Sequence, residues 1–226
     1  MDTTASNSSA HAEGYGTLAS GDCAHAEGNS STSSGNAAHA EGKGSRAEGE
    51  ASHAEGIASM ALGVYSHAEG NGTTASSNAA HAEGDNTTAS GDFSHAEGQG
   101  TKAEGSRSHA EGFNTTAHDA SSHAEGYNTL AFGDSSHAEG NTTDAHGRSS
   151  HAEGQHTIAS GDYSHAEGYL TEAVGMDSHA EGGHLKRCYL EGSNGKYKLY
   201  NSKTGEMPSW LNGYYYDAGE ESAIDG

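Results

Sequence analysis

The sequence predicts an all-β protein that folds as a parallel β-roll, or β-solenoid, in which fourteen-residue coils of two short strands stack on one another. Two observations predict this fold. The tetrapeptide His-Ala-Glu-Gly occurs thirteen times, from residues 11–14 to residues 179–182, always at a spacing of fourteen residues. Between these copies, small residues alternate with other types in the period of two that is typical of β-strands. A repeat this short buries its small residues only against its neighbours, so the fold depends on stacking.

Each coil consists of two similar halves. The aligned coils share the consensus Ser-His-Ala-Glu-Gly-x-x-Thr-x-Ala-x-Gly-x-x, and both halves have the form Ser/Thr-x-Ala-x-Gly-x-x. Five residues of each half suit a strand and the last two suit a turn. The alternation predicts that Ser66, Ala68 and Gly70 point into the coil, whereas His67 and Glu69 point outward.

The second half of the coil contains one position that varies freely. The threonine and the alanine on either side of it are predicted to point inward, because only small residues occur there. The residue between them is predicted to face solvent, since its size and charge change from coil to coil. It is Leu18, Thr32, Arg46, Met60, Thr74, Thr88, Lys102, Thr116, Leu130, Asp144, Ile158 and Glu172.

A helical array is the competing interpretation, because fourteen residues are two heptads and alanine favours helices. Glycine argues against it. Nearly every coil has two glycines, each of which costs about 1 kcal/mol in a helix interior. No heptad pattern of large apolar residues is present to offset that cost.

The histidine and the glutamate of the motif form a polar face that is the same in all thirteen copies. A solvated face would tolerate variation, so this face is predicted to pack against the same face of identical chains. Structural hydrogen bonding between imidazole and carboxylate is favoured over metal binding and over catalysis, because identical pairs indicate a repeated structural task. We therefore predict no catalytic residue, no metal ligand and no cofactor. The predicted interface residues are His11, Glu13, His25, Glu27, His39, Glu41, His53, Glu55, His67, Glu69, His81, Glu83, His95, Glu97, His109, Glu111, His123, Glu125, His137, Glu139, His151, Glu153, His165, Glu167, His179 and Glu181.

These histidine and glutamate pairs also predict a dependence of stability on pH. A histidine paired with a glutamate has a raised pKa. The stability that such a pair contributes would be complete below pH ~6.5 and would decline at higher pH.

The chain divides into an array at residues 1–182 and a tail at residues 183–226. Residues 1–10 look like a partial repeat, because Thr3 and Ala5 fall where threonine and alanine recur in later coils. The tail has turn dipeptides between short strand-like runs, which predicts a small β-meander that caps or connects the array. Its aromatic residues are the candidate ligand-binding patch, namely Trp210, Tyr214, Tyr215 and Tyr216.

Charge and composition exclude some partners. The formal net charge of −22 disfavours nucleic acid, because binding to phosphates requires clustered lysine and arginine. No apolar run approaches the length needed to span a bilayer, so membrane insertion is not expected.

The doubled Ser-x-Ala-x-Gly-x-x halves resemble the YadA-like head repeats of trimeric autotransporter adhesins, and the His-Ala-Glu-Gly arrays are similar to those of phage tail and neck-appendage fibres. The match covers roughly residues 3 to 182. In adhesin heads the two residues that flank the central alanine are usually aliphatic and face the trimer interior, whereas here they are histidine and glutamate. The resemblance implies a left-handed coil and a homotrimer.

The same resemblance implies a non-enzymatic, extracellular fibre segment on a virion or cell surface. Such a segment attaches to a cell-surface glycan or protein. Two other functions stay open. A fibre-borne polysaccharide-degrading enzyme would need isolated carboxylates in a cleft. An ice-binding solenoid would need an unbroken row of outward threonines, and Arg46, Lys102 and Glu172 interrupt that row.

Overall fold

A computed structural model describes residues 2–182 and, beyond them, the backbone of three short strands. The chain forms two compact units, residues 1–127 and residues 128–226. The described residues form strands, turns and bends but no helix. The predicted parallel β-solenoid of fourteen-residue coils is thus confirmed, with thirteen strands that begin at the motif histidines.

Two parallel sheets make up the array in residues 1–127. The strands that begin at a motif histidine, here called motif strands, form one sheet, and the shorter strands of the second half, here called return strands, form the other. The motif strands are His11–Tyr15, His25–Asn29, His39–Ala40, His53–Ile57, His67–Asn71, His81–Asp85, His95–Gln99, His109–Phe113 and His123–Tyr127. The return strands are Thr4–Ala5, Leu18–Ala19, Thr32–Ser33, Arg46–Ala47, Met60–Ala61, Thr74–Ala75, Thr88–Ala89, Lys102–Ala103 and Thr116–Ala117.

The same two kinds of strand recur in residues 128–226. The motif strands there are His137–Asn141, His151–Gln155, His165–Tyr169 and His179–Ala180. The return strands are Leu130–Ala131, Asp144–Ala145, Ile158–Ala159 and Glu172–Ala173. Thr4–Ala5 pairs in parallel with Leu18–Ala19, which confirms that the chain begins with a partial repeat.

Successive coils are paired in register, so each residue lies on its counterpart one coil away. His67 pairs with His81, Ala68 with Ala82 and Glu69 with Glu83. This register follows from the sequence, because a shift by one residue would turn the small side chains outward.

The interior of the coil is as narrow as predicted. In residues 94–107, Ser94, Ala96, Thr101 and Ala103 are at most 1% exposed. The largest fully buried side chains of the described residues are threonines. The serine before the motif satisfies its own buried hydroxyl, since Ser94 Oγ donates to the Gly91 carbonyl at 2.6 Å.

The motif glycine does not fill the interior, and that part of the prediction is wrong. Gly70 is exposed, although Ser66 and Ala68 beside it are buried. Glycine is required there for two other reasons. Gly70 has a φ of 111°, and a Cβ atom added to it would lie 2.2 Å from the Gly84 carbonyl oxygen of the next coil.

The return strands are shorter than the predicted five residues. Lys102–Ala103 is typical, with two residues. The parallel ladder between this strand and the preceding coil ends at Ala103. Two successive residues of the preceding coil, Ser90 and Gly91, both donate their amides to the Ala103 carbonyl, at 2.8 and 3.3 Å. The backbone therefore bends at Gly91 instead of continuing as a strand.

Left-handed backbone conformation is common in the turns. Within residues 2–182, twenty-one residues other than glycine have positive φ, among them Tyr65 at 58° and Asn86 at 55°. The amides of these two donate to a carbonyl of the preceding coil, from Tyr65 to Glu50 at 2.9 Å and from Asn86 to Asn71 at 2.8 Å. These bonds offset the cost of about 1–2 kcal/mol that a left-handed L-residue carries.

Thr142 is the least suitable residue type in these turns, because it is β-branched and has a φ of 57°. We expect Thr142→Asn to raise the stability by about 1 kcal/mol, since asparagine tolerates this region. The melting temperature would rise by about 2–4 °C in a thermal denaturation.

Asn114, with a φ of 52° at the equivalent turn position, provides the matched reverse change. Asn114→Thr should lower the melting temperature by a similar amount. Equal melting temperatures for the wild type and both variants would show that the backbone strain of a threonine at positive φ does not affect the stability.

The tail contains a three-stranded antiparallel sheet in chain order, which is the arrangement of the predicted β-meander. Its strands are Lys196–Tyr197, Tyr214–Asp217 and Glu220–Ala223. The boundary at residue 182 and the capping role of the tail stay predictions.

Candidate functional site: the histidine and glutamate ladders

The motif histidines form a column of stacked imidazole rings. From His11 to His123, successive ring centroids are 4.6–4.9 Å apart and the ring planes agree within 6°. The rings from His137 to His179 stack in the same way at 4.8 Å. We call these columns the His ladders. The column of motif glutamates beside each of them is called the Glu ladder.

Stacking leaves the ladder side chains half-buried. The side chain of His81 is 35% exposed and that of Glu83 is 34% exposed, compared with 65% for His11 in the first complete coil. The hidden part of the His81 ring is covered by the rings of His67 and His95, and the rest of its side chain is exposed. Within each unit, the predicted interface residues of the described coils thus lie on one face.

Each imidazole faces a carboxylate, but at a distance greater than that of a hydrogen bond. The Nε2 to carboxylate oxygen distance is 3.6 Å for His25 to Glu27 and 3.5 Å for His81 to Glu83. Hydrogen bonds of this type are normally 2.7–3.2 Å long. Nine of these Nε2 atoms are shielded from solvent and have no hydrogen-bond partner, in His25, His39, His53, His67, His81, His95, His109, His151 and His165. The predicted bond between imidazole and carboxylate is therefore not formed within the chain at these positions.

The carboxylates of the Glu ladder interact with one another. Hydrogen bonds with the carboxyl groups of Glu55 and Glu27 raise the pKa of Glu41 to about 7. The same bonds, with Glu41 as the first cause, lower the pKa of Glu27 and that of Glu55. Neighbouring carboxyl groups thus differ in their affinity for protons, as expected when like charges share a column.

Five ladder imidazoles have lowered pKa values, which contradicts the prediction of raised values. Burial is the largest cause for His81, whose pKa falls to about 4, and the charges of His95 and His67 lower it further. The carboxylate of Glu97 opposes the shift, but it is the smallest cause. The pKa values of His39, His53, His95 and His123 are lowered as well, again with burial as the first cause. The sequence could not reveal this, because the burial of each ring depends on how closely the rings of successive coils stack.

These shifts reverse the expected dependence of stability on pH. A folded-state pKa near 4 for His81 means that the unfolded chain takes up a proton first as the pH falls below ~6.5. Glu41 and Glu83, whose pKa values are raised, act in the opposite direction, but they are fewer than the five shifted imidazoles of the described coils. We expect the melting temperature, measured with EDTA present, to fall as the pH is lowered from 7 to 4.

His156 provides the control, because it lies in a turn outside the ladder. The slope of melting temperature against pH should be smaller in His81→Gln and unchanged in His156→Gln. A melting temperature that stays constant or rises on acidification would contradict this assignment.

An open groove follows the Glu ladder in each unit. In residues 1–127 the groove has a volume of about 940 Å³, and in residues 128–226 a similar groove has about 360 Å³. Both grooves are lined by motif glutamates and by the motif glycines next to them. The missing side chains of the glycines create this space.

The variable residues of the return strands point outward as predicted, but most are half-buried by their neighbours. Lys102 and Arg46 are exposed, whereas Thr74, Thr88 and Ile158 are half-buried. Large exposed aromatic side chains lie elsewhere on the coils. They are Tyr15, Tyr65, Phe93, Phe113, Tyr127, Phe132, Tyr163 and Tyr169.

The tail residues proposed for ligand binding cannot be placed. Trp210 and the side chains of Tyr214, Tyr215 and Tyr216 lie outside the described part of the chain. Their role stays a prediction.

One cluster was missed by the sequence reasoning. His118 lies between two acidic residues, with Nδ1 2.7 Å from Asp119 Oδ1 and Nε2 3.7 Å from Glu104 Oε2. The signal was available, because Glu104 and His118 are fourteen residues apart and so occupy equivalent positions of adjacent coils.

Several ladder groups could hold a metal ion. In His25, Glu27 and His39, and in Glu41, His53 and Glu55, one ligand atom from each residue lies within 4.8 Å of the other two. Equivalent groups recur along the ladders.

Comparison with known proteins agrees with the resemblance found in the sequence. The segments 54–76, 78–94, 82–108 and 124–143 match the YadA head domain repeat. No curated protein matches the chain. A search of the described residues for a helix long and apolar enough to cross a membrane found none.

Proposed function

Because segments of these coils match the YadA head domain repeat, we propose that the chain is the head segment of a homotrimeric surface fibre. The fibre is displayed on a bacterial cell or a virion and attaches to another surface through a glycan or protein receptor. Its action is adhesive and structural. The motif histidines and glutamates, from His11 and Glu13 to His179 and Glu181, form the interface between the three chains.

The observation that carries this proposal is the contrast between two outward faces of the same coil. The face of the return strands changes from Thr88 to Lys102 to Thr116, whereas the face of the ladders keeps the same pair in every coil. An outward polar face stays constant when each of its residues meets the same environment. Identical chains in the same register supply that environment at every coil.

The grooves beside the Glu ladders support the same arrangement. They are open, and they are lined by the motif glutamates and the motif glycines next to them. This space has room for side chains of a second chain that packs against the ladders.

Mass in solution tests the trimer. Analytical ultracentrifugation should give three times the chain mass of 23.0 kDa. The triple variant His81→Ala, His95→Ala, His109→Ala should dissociate at a higher concentration than the wild type. Thr88→Ala, Lys102→Ala, Thr116→Ala is its matched control, because it alters the return-strand face of neighbouring coils.

The control variant should keep the wild-type mass. A monomeric wild type would disprove the trimer. A control that dissociates as readily as the ladder variant would disprove the interface.

The exposed aromatic residues and the tail are the surfaces left for attachment. Tyr65 and Phe93, each 63% exposed, lie outside the ladders. Aromatic faces with this exposure stack on sugars or on apolar groups of a protein. The labelled protein should bind to bacterial cells or to immobilised glycans, and binding should weaken in Tyr65→Ser with Phe93→Ser or in Trp210→Ala. Unchanged binding in both variants would exclude these surfaces.

A further inference from the structure

We propose that the ladders bind divalent transition-metal ions with the preferences of Zn²⁺. Each ion is held by imidazole nitrogens and glutamate oxygens from two successive coils of one chain. The sequence alone favoured hydrogen bonding over metal binding for these residues, and the distances in the structure reverse that preference.

The first argument is the separation between the facing atoms. The shortest distances from Nε2 to a carboxylate oxygen are 3.4 Å for His151 to Glu139 and 3.5 Å for His165 to Glu153, and others reach 3.9 Å. Two ligands of one tetrahedral Zn²⁺ ion, each about 2.0–2.2 Å from it, are separated by about 3.3–3.6 Å. These gaps of 3.4–3.9 Å are therefore too long for a hydrogen bond, and the shortest of them match the separation of two ligand atoms that share one ion.

The third ligand comes from the adjacent coil. His53 Nε2 lies 3.9 Å from a carboxylate oxygen of Glu41 in the preceding coil and 3.9 Å from one of Glu55 in its own coil. An ion at this position takes one nitrogen and two oxygens. In the group of His25, Glu27 and His39 the three ligand atoms lie within 4.8 Å of one another, so the two stacked rings must tilt for both nitrogens to reach one ion. Three protein ligands and one open position for water suit Zn²⁺.

The third argument is that imidazole nitrogen atoms of the ladders lack hydrogen-bond partners. His67 and His95, for example, have an Nε2 atom that is shielded from solvent without a hydrogen-bond partner. Buried polar atoms in stable folds are almost always satisfied. A metal ion in the gap would satisfy the nitrogen and also screen the repulsion between stacked carboxylates.

The ligand set selects the class of ion. Imidazole together with carboxylate suits Zn²⁺ and its neighbours in the first transition row, whereas Ca²⁺ and Mg²⁺ prefer oxygen ligands alone. The net charge of −22 favours the approach of any cation, so a Ca²⁺ control is needed to separate attraction from coordination.

Neighbouring sites share ligands, which limits the occupancy. Two doubly charged ions one coil apart would repel strongly. We expect no more than one ion for every two coils, or at most about six per chain for thirteen motif copies.

Because all ligands of a site belong to one chain, the inference does not rest on the proposed trimer. Metal uptake by a monomer would support it while disproving the trimer. A trimer without metal would do the reverse. The mass of the protein is therefore measured in every metal titration.

The experiment titrates ZnCl₂ into the full chain after treatment with EDTA, with calorimetry for affinity and native mass spectrometry for the number of bound ions. We expect several ions per chain, with no calorimetric signal from CaCl₂ under the same conditions. Co²⁺ in place of Zn²⁺ should give visible absorption bands typical of coordination by nitrogen and oxygen. Absence of Zn²⁺ uptake by the folded wild type would overturn the proposal.

The variants assign the site. Changing alternate ladder histidines, with His25→Gln, His53→Gln, His81→Gln and His109→Gln, should weaken binding in residues 1–127 at least about tenfold. The matched control, with His118→Gln, His146→Gln and His156→Gln, removes three imidazoles outside the ladders and should bind as the wild type does.

Two results would show that the ions bind to groups other than the ladder histidines. One is equal binding by both multiple variants, and the other is loss of binding in the control alone. If circular dichroism shows that the ladder variant does not fold, the Co²⁺ spectrum and X-ray absorption of the wild type decide. Absence of imidazole ligands from both would overturn the proposal.

Discussion

Gly98→Ala is expected to destabilise the array by about 3 kcal/mol or more, which is a large part of the stability of a typical domain. Gly98 has a φ of 104°, and an added Cβ atom would lie 2.2 Å from the Gly112 carbonyl oxygen and 3.0 Å from the Gly112 amide nitrogen. Both obstacles are backbone atoms of the next coil, which cannot rotate away. The methyl group therefore forces the coils apart and strains φ at the same time. Chemical denaturation would show the loss as a lower midpoint.

Gly100, two residues away in the same coil, is the matched control. Its φ of 67° lies in the left-handed region that Ala58 occupies at the equivalent turn position. The Cβ atom of an alanine would press against the side chain of Asn114, which can move, and would lie 4.0 Å from the nearest backbone atom, the Asn114 nitrogen. Gly100→Ala should cost about 1–2 kcal/mol at most. Equal losses for the two variants would show that contact between coils is not the reason for the motif glycine.

Ala96→Leu is the second change with a large expected effect. Ala96 is fully buried, and no residue larger than threonine is fully buried in the described part of the array. A leucine has no space between the two sheets, so the sheets must separate or the coil must unfold locally. We expect a loss of about 3 kcal/mol and a lower midpoint in chemical denaturation.

Ala12 occupies the same position in the first complete coil, where it is only half-buried. Ala12→Leu should cost less than about 1 kcal/mol, because its side chain extends partly into solvent. A small effect at both positions would mean that the interior accommodates larger side chains than its composition indicates. A large effect at both would mean that position 12 is covered in the assembled protein.

Much of the fold follows from residue types and spacing. The inward position of Ala68 and Thr73, the outward position of His67 and Glu69, and the partial first repeat were all predicted and are confirmed. These features depend on size and on a period of two. A periodic sequence displays both without further information.

The candidate site was only partly predictable. The positions of the ladder residues on one face follow from the repeat. The distance of 3.5 Å between His81 and Glu83, and the lowered pKa of His81, depend on how closely the rings stack. The cluster around His118 and the bend at Gly91 also arise from contacts between coils.

The sequence by itself determined the coil length, the register, the narrow interior and the identity of the one constant outward face. Only the tertiary structure decided why the motif glycine is required and whether the imidazoles and carboxylates are bonded to each other. The physical reason is that the repeat fixes which residues lie above one another. The spacing between coils then fixes the distances between their atoms, and those distances separate a hydrogen-bonded pair from one that is not, and an interior glycine from one pressed against the next carbonyl.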